Sequence, residues 1–478
     1  MDVKRLFIGG QWTTPAGSGT ITAASAGTGA RLGSVPEAVD ADVDEAVRAA
    51  RAAFDAPGGW PEWEPGRRAS AMLRLADALE TRGGLTARTV SAQNGMPIST
   101  ARPFEGAVPA ALLRYYADLA TRAPSEERRA GLPGGSTLVR REPMGVVAAI
   151  MTWNFPQTIA FFKIAPALAA GCTLVLKPAP ETVLDSMVLA EAVEEAGLSG
   201  GVVNIVPGGP EVGACLVSHP GVDKVSFTGS TSAGRKVAAA CAALLRPVTL
   251  ELGGKSAAVV LDDADLGPLT ERFFMAGLLN NGQTCFASTR ILAPGGRYGE
   301  VVEFCTAMAG GAVVGDALDP ATQIGPLVSA RQRDRVEGYI ARGLDEGARL
   351  TTGGGRPAGL DRGWFVEPTV LADVDNASAV AQEEIFGPVL TITSYDGEDE
   401  AVRLANDSAY GLAGTVWTAD PEHGTSVARR IRSGTVGING YVPDIGSPYG
   451  GMKSSGLGRE LGPEGLQAYQ QLQSVYQP

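Results

Sequence analysis

The stretch Asn280-Asn281-Gly282-Gln283-Thr284-Cys285-Phe286-Ala287-Ser288-Thr289-Arg290 sets one cysteine among small and amide side chains. Apolar Phe274, Met275, Leu278 and Leu279 stand upstream. Gly282 and Gln283 come just before Cys285, which suits a turn that exposes sulfur better than it suits core packing. A thiolate is the strongest nucleophile that ordinary side chains offer near neutral pH. Local sequence alone also allows a cysteine that only fills space. Histidine is scarce: there are two, His219 and His423, each in loop-like sequence close to a proline. A Cys-His or Ser-His pair is therefore poorly supplied, and a carboxylate is the expected base if Cys285 reacts. A second stretch, Phe227-Thr228-Gly229-Ser230-Thr231-Ser232-Ala233-Gly234-Arg235, ends an apolar run at an expected helix start. Free N–H groups there suit a pyrophosphate; a capped helix start explains the same residues equally well.

Such groups need a framework to hold them. Short apolar runs at 145–151, 172–176, 202–206, 224–227 and 248–252 alternate with helical patterns at 157–170, 182–197, 210–218 and 232–245. Continuous apolar strands separated by helices predict a parallel sheet buried on both faces. Right-handed crossovers make it a doubly wound, Rossmann-type unit that binds ligands beyond the carboxyl ends of its strands. The ordinary Gly-x-Gly-x-x-Gly fingerprint is missing, since Gly27-Thr28-Gly29 lacks the third glycine in register. A second α/β unit is expected from about Ser256, with strands at 257–261, 290–292, 389–394, 414–418 and 435–439. Amphipathic helices are expected at 43–54, 67–82 and 107–122, a polar connector at 123–136, a strand at 137–141 and surface turns at 351–362. The tail, 465–476, either completes a sheet edge in another subunit or packs back on its own chain.

Length and charge bound the rest. A chain of 478 residues predicts two or three domains. A net charge of −12 disfavours nucleic acid and anionic membranes as partners. Residues 144–162 are nearly uncharged, but Asn154, Pro156 and Gln157 interrupt them, so a strand, turn and helix is expected and not a membrane span. The first ten residues lack the apolar core of a secretory signal. Five scattered cysteines without ligand spacing predict a reducing, cytoplasmic setting and no metal site.

Five motifs in order carry a joint resemblance: Trp153-Asn154-Phe155-Pro156, Phe227 to Gly234, Glu251-Leu252-Gly253-Gly254-Lys255, Asn280 to Cys285, and Glu384-Ile385-Phe386-Gly387-Pro388. Together they resemble the aldehyde dehydrogenase superfamily over nearly the whole chain. The resemblance implies Cys285 as nucleophile, Asn154 as oxyanion donor and Glu251 as the base that hydrolyses a thioester. Because the branch that transfers the acyl group to coenzyme A lacks this glutamate, a free acid is the expected product. The resemblance further implies cofactor contacts at Trp153, Lys177, Gly209, Pro210, Gly229, Ser230, Gly234, Leu252, Gly253, Glu384 and Phe386. Lys163 and Glu460 match a proton-exit path, with a structural ion pair as the alternative. Phe155, Phe162, Phe286 and Tyr449 fall at substrate-lining positions, with core packing as the alternative, and Pro443 stands where an aromatic ring is frequent. Pro180 replaces a glutamate that many NAD-using members place near the adenosine ribose, so NAD is expected without excluding NADP.

The implied fold class is α/β, with two Rossmann-like doubly wound domains and a small β oligomerisation element. The boundaries are 1–122 and 143–253 for the cofactor domain, 254–454 for the catalytic domain, and 123–142 with 455–478 for the third part. A small-molecule aldehyde is the expected partner, in a homodimer or homotetramer. A thiol esterase without redox chemistry and a non-catalytic binding protein are the competing functions.

Overall fold

The computed structural model describes residues 1–132 and 134–478. Its largest sheet has eight strands, in the order Gly456–Leu457, Val248–Glu251, Lys224–Thr228, Val146–Ile150, Thr173–Lys177, Val203–Ile205, Leu6–Ile8 and Gln11–Thr13. The five central strands run parallel. Their side chains are buried on both faces, which is why they read as unbroken apolar runs. The parallel part starts at Val146–Ile150, winds outward to Val203–Ile205, then returns to the other side. The order therefore reverses between Val146–Ile150 and Lys224–Thr228, and a crevice opens at their carboxyl ends. The 151–154 and 229–230 segments leave the sheet there.

A second, seven-stranded sheet carries the order Arg349–Thr352, Thr369–Ala372, Val389–Tyr395, Arg290–Pro294, Ala257–Val260, Gly414–Trp417 and Gly437–Ile438. Two of these strands, Arg349–Thr352 and Thr369–Ala372, were not expected. Thr369–Ala372 is fully buried, but four residues between Pro368 and Asp373 are too few to show a period. The helix expected at 67–82 runs Pro65–Asn94, passing through Gly83-Gly84 because Thr86, Ala87 and Val90 keep its buried face going. The polar connector holds a strand, Glu126–Ala130, exposed at every residue and held by pairing with Ser136–Pro143. The tail strand Gln470–Gln477 pairs with the other edge of Ser136–Pro143 in the same chain. Gly456–Leu457, inside 455–478, lies instead on the eight-stranded sheet. Among the described residues no helix is long and apolar enough to cross a membrane.

One turn ties the two large sheets together. Asn280, Asn281 and Gly282 adopt left-handed backbone in succession, with φ of 53°, 61° and 70°. Asparagine and glycine are the residues that tolerate this region. The Asn281 amide donates to the carbonyls of Gly95 and Pro326 at 2.8 and 2.9 Å, and its oxygen accepts from the Gly325 N–H at 2.6 Å. Gly282 packs on the 387–388 backbone, where a Cβ would lie 2.1 Å from the Gly387 oxygen. Gly282→Ala is therefore expected to destabilise the protein by at least about 2 kcal/mol and to lower activity, measured by thermal unfolding alongside turnover. An unchanged melting curve would contradict this tight docking.

Candidate active site

The left-handed turn delivers Cys285 to the crevice. Gln283 accepts the Val328 N–H through its side chain at 3.0 Å, and the Thr284 hydroxyl donates to the Leu279 carbonyl at 2.9 Å. These bonds hold both flanks of the sulfur. Cys285 stays partly open, and Tyr449 Oη lies 3.3 Å from its Sγ. Burial pushes the thiol up to about 12, and the negative charges of Glu384 and Glu251 act in the same direction. The thiol is thus protonated in this arrangement, and attack requires a base.

Asn154 reaches the same point from the turn after Val146–Ile150. Its Nδ2 donates one hydrogen to the Gln283 carbonyl at 3.0 Å, which leaves the second free. The Asn154 carbonyl in turn accepts from Asn94 and Asn280 side chains at 3.2 and 2.9 Å. Among the described residues, no protein group takes the Cys285 N–H. Asn154 and Cys285 line one cleft, and each keeps an N–H that the protein does not use.

Glu251 ends the strand Val248–Glu251. It is 3% exposed, and neither carboxylate oxygen has a hydrogen-bond partner among the described residues. Burial, then repulsion from Glu460, raises its pKa well above the usual carboxylate range; Lys163 and Arg459 oppose that shift. Gly450 makes room for it, since a Cβ there would meet Glu251 Oε1 at 2.6 Å. Behind it, the fully buried Lys163 ammonium donates to Glu460 at 2.6 Å and to the Thr228 hydroxyl at 2.7 Å. The Ser226 hydroxyl adds a bond to Glu460 at 3.3 Å.

Two cavities meet at Cys285. One is a cleft of about 870 Å³ that includes Trp153, Asn154, Gly229, Ser230, Leu252, Gly253, Glu384 and Phe386. The helix Thr231–Ala243 begins in this cleft, capped by the Ser230 hydroxyl accepting from the Ala233 N–H. Glu384 accepts from the Gly254 N–H at 2.9 Å, and burial pushes its carboxyl up to about 7. The other cavity, about 80 Å³, is walled by Phe155, Phe162, Phe286, Tyr449 and Pro443 and touches Cys285 and Glu251.

The comparisons with known proteins agree with this geometry. Residues 12–475 match the model of the aldehyde dehydrogenase family. The chain belongs to the aldehyde dehydrogenase family. It is 58% identical to the geranial dehydrogenase of Castellaniella defragrans, over 100% of this chain and 99% of that protein. The crystal structure of Mycobacterium tuberculosis aldehyde dehydrogenase complexed with NAD+ superposes with a TM-score of 0.98 at 50% identity, covering 100% of this chain and 99% of that one. A mutant of aldehyde dehydrogenase C from Pseudomonas syringae, complexed with NAD+ and octanal, gives 0.95 at 40% identity, covering 99% and 96%. The α/β fold and the enzyme class expected from the motifs stand on these matches.

Most of the expected site residues converge. Lys177, Gly209 and Pro210 form a separate group at the ends of Thr173–Lys177 and Val203–Ile205. There the Lys177 ammonium, lowered by burial to about 8, donates to the carbonyls of Pro178 and Gly208 at 3.0 and 2.6 Å. Gly234 does not line the cleft; it packs under Leu252, which a Cβ would meet at 2.4 Å. Sequence reasoning missed Phe104, Val108, Ile159, Ile445 and Leu461 in the apolar cavity and Arg331 and Arg335 in the cleft. Those residues carry no local signal, because only the packing of distant segments brings them in. The histidines are remote from the site, with His219 3.1 Å from Asp44 and His423 2.6 Å from Glu398.

The raised pKa of Glu251 has a consequence for activity. As the base expected from the motifs, Glu251 would work only when deprotonated, so the rate would be held above that pKa and lost as pH falls through it. The acid limb of a kcat–pH profile is expected well above the usual carboxylate range. A limb in the ordinary glutamate range would contradict the buried setting.

Proposed function

We propose that this chain oxidises an apolar aldehyde to its carboxylic acid, with Cys285 as nucleophile, Asn154 and the Cys285 N–H as oxyanion donors, and Glu251 as hydrolytic base. The observation that carries this reading is the junction of cleft and apolar cavity at a single sulfur. The residues fit a dinucleotide. The cleft has the volume of a large ligand site, and a helix N-terminus suited to a pyrophosphate faces it. NAD held there would supply the oxidant, as an acceptor for the hydride that the substrate carbon gives up.

The Cys285 thiol gives its proton to Glu251 or to water and its sulfur bonds to the aldehyde carbon, leaving negative charge on oxygen. The Asn154 amide and the Cys285 N–H hold that oxygen without exchanging protons with it. Oxidation leaves a thioester on Cys285. Glu251 then takes a proton from a water whose oxygen attacks the thioester carbon; the C–S bond breaks and the acid leaves. Lys163 and Glu460 offer the proton a route onward from Glu251.

Three further assignments belong to the same reading. The apolar aldehyde is supported by the phenylalanine walls and by the 58% identical geranial dehydrogenase. NAD over NADP is supported by Glu37 and Glu181, whose charges act on Lys177 where a 2′-phosphate would need a free cation. A cytoplasmic homodimer or homotetramer is supported by five free cysteines and by Leu472 and Tyr476, exposed on the tail strand. A thiol esterase would have no use for the large cleft beside the sulfur, and a non-catalytic scaffold would not need to keep nucleophile, donor and base together.

Cys285→Ala tests the assignment. Oxidation of a panel of apolar aldehydes, followed by reduced-nicotinamide absorbance, should fall at least about 1000-fold. NAD affinity measured by titration should stay close to the parent's. Substantial residual oxidation would refute Cys285 as the nucleophile.

A further inference from the structure

Cys285 so placed has a proton acceptor and an oxyanion site but nothing that stabilises the sulfur once its proton has gone. Among the described residues, the side-chain group in hydrogen-bond contact with Sγ is the Tyr449 hydroxyl, at 3.3 Å. Resting on Cys285 as the nucleophile, we propose that Tyr449 is a catalytic residue whose hydroxyl donates to the Cys285 thiolate, eases the loss of its proton and aims it at the carbonyl.

The structure holds this hydroxyl in place from three sides. The Tyr449 N–H donates to the Glu460 carbonyl at 2.7 Å, and its own carbonyl accepts from the Glu460 N–H at 2.8 Å. Glu460 is in turn fixed by Lys163. The Tyr449 ring packs edge-on against Phe162, with centroids 6.1 Å apart, and the residue is 6% exposed. A phenol so placed keeps one orientation toward the sulfur. The role expected for it, substrate lining, accounts for the ring but not for the oxygen.

The electrostatics give the hydroxyl a task. The titratable groups that act on Cys285 are Glu251, Glu384, Tyr441 and Tyr449. Both carboxylates oppose the thiolate, as does burial, whereas the Tyr449 hydrogen bond favours it. Tyr441 is occupied elsewhere, its hydroxyl 2.6 Å from that of Thr435. Burial holds the Tyr449 phenol well above its ordinary range, so it keeps its proton and can donate to the sulfur once the thiol proton has gone. A hydrogen bond to an ionised acceptor is about twice as strong as one to a neutral group. The bond therefore strengthens as the thiol proton departs to Glu251 or water. It weakens again once sulfur is bonded to the substrate carbon, and no proton passes from Tyr449 at any step.

Tyr449→Phe removes the oxygen and keeps the ring. The test is the rate of iodoacetamide alkylation of Cys285 in the cofactor-free protein, followed by peptide mass across a pH series. The variant should react roughly 3- to 10-fold more slowly near pH 8, with its profile displaced to higher pH. Superimposable profiles for parent and variant would overturn the proposal, because a residue that only lines the cavity leaves the thiol's titration unmoved. Dehydrogenase activity that survives complete alkylation of Cys285 would overturn the nucleophile assignment itself, and this inference with it.

Discussion

The rest of the site depends on the side chain of Asn281. It sits in left-handed backbone with neighbours that do the same, and its side chain spends both N–H donors and one acceptor site on three backbone groups from two distant segments. Gly95 closes the long helix Pro65–Asn94, and the 325–326 segment belongs to the second half of the chain. A buried amide of this kind is costly to leave unpaired, so the turn and its two supports form together or not at all. Asn280 and Asn94 extend the same knot to the Asn154 backbone. Cys285 and Asn154 are thereby fixed relative to each other by contacts to backbone, while both residues line the crevice.

Charge placement is the second constraint. Glu251, Glu460 and Lys163 are all at most 3% exposed, and two negative groups share one cation. Burial, then repulsion from Glu460, disfavours charge on Glu251, which is why it holds its proton at pH values where a surface glutamate does not. The Lys163–Glu460 pair is satisfied by Thr228 and Ser226, so the strain falls on Glu251, whose oxygens have no partner. A carboxylate left unsatisfied beside an electrophile is suited to take a proton from water.

Much of this was legible in the residues, for a physical reason in each case. Strands buried on both faces read as continuous apolar runs, so the parallel core of the eight-stranded sheet could be placed closely. Glu126–Ala130 could not, because all its side chains face solvent and only backbone pairing makes it a strand. Asn154, Glu251 and Cys285 stood out because each lies in a motif with its own local turn or strand end. The apolar wall was half legible: Phe155 and Phe286 flank those motifs, whereas Phe104 and Val108 come from a distant helical segment. That Tyr449 turns its oxygen to sulfur follows from the pairing of Tyr449 with Glu460, which no local pattern reveals.

The central claim is a covalent intermediate on one sulfur, released by one carboxylate. It is tested most directly by the intact mass of Glu251→Gln after mixing with an apolar aldehyde and NAD. The account predicts an added acyl mass that maps to Cys285 and persists, with steady turnover lost. A variant that turns over normally without a trapped adduct would contradict it.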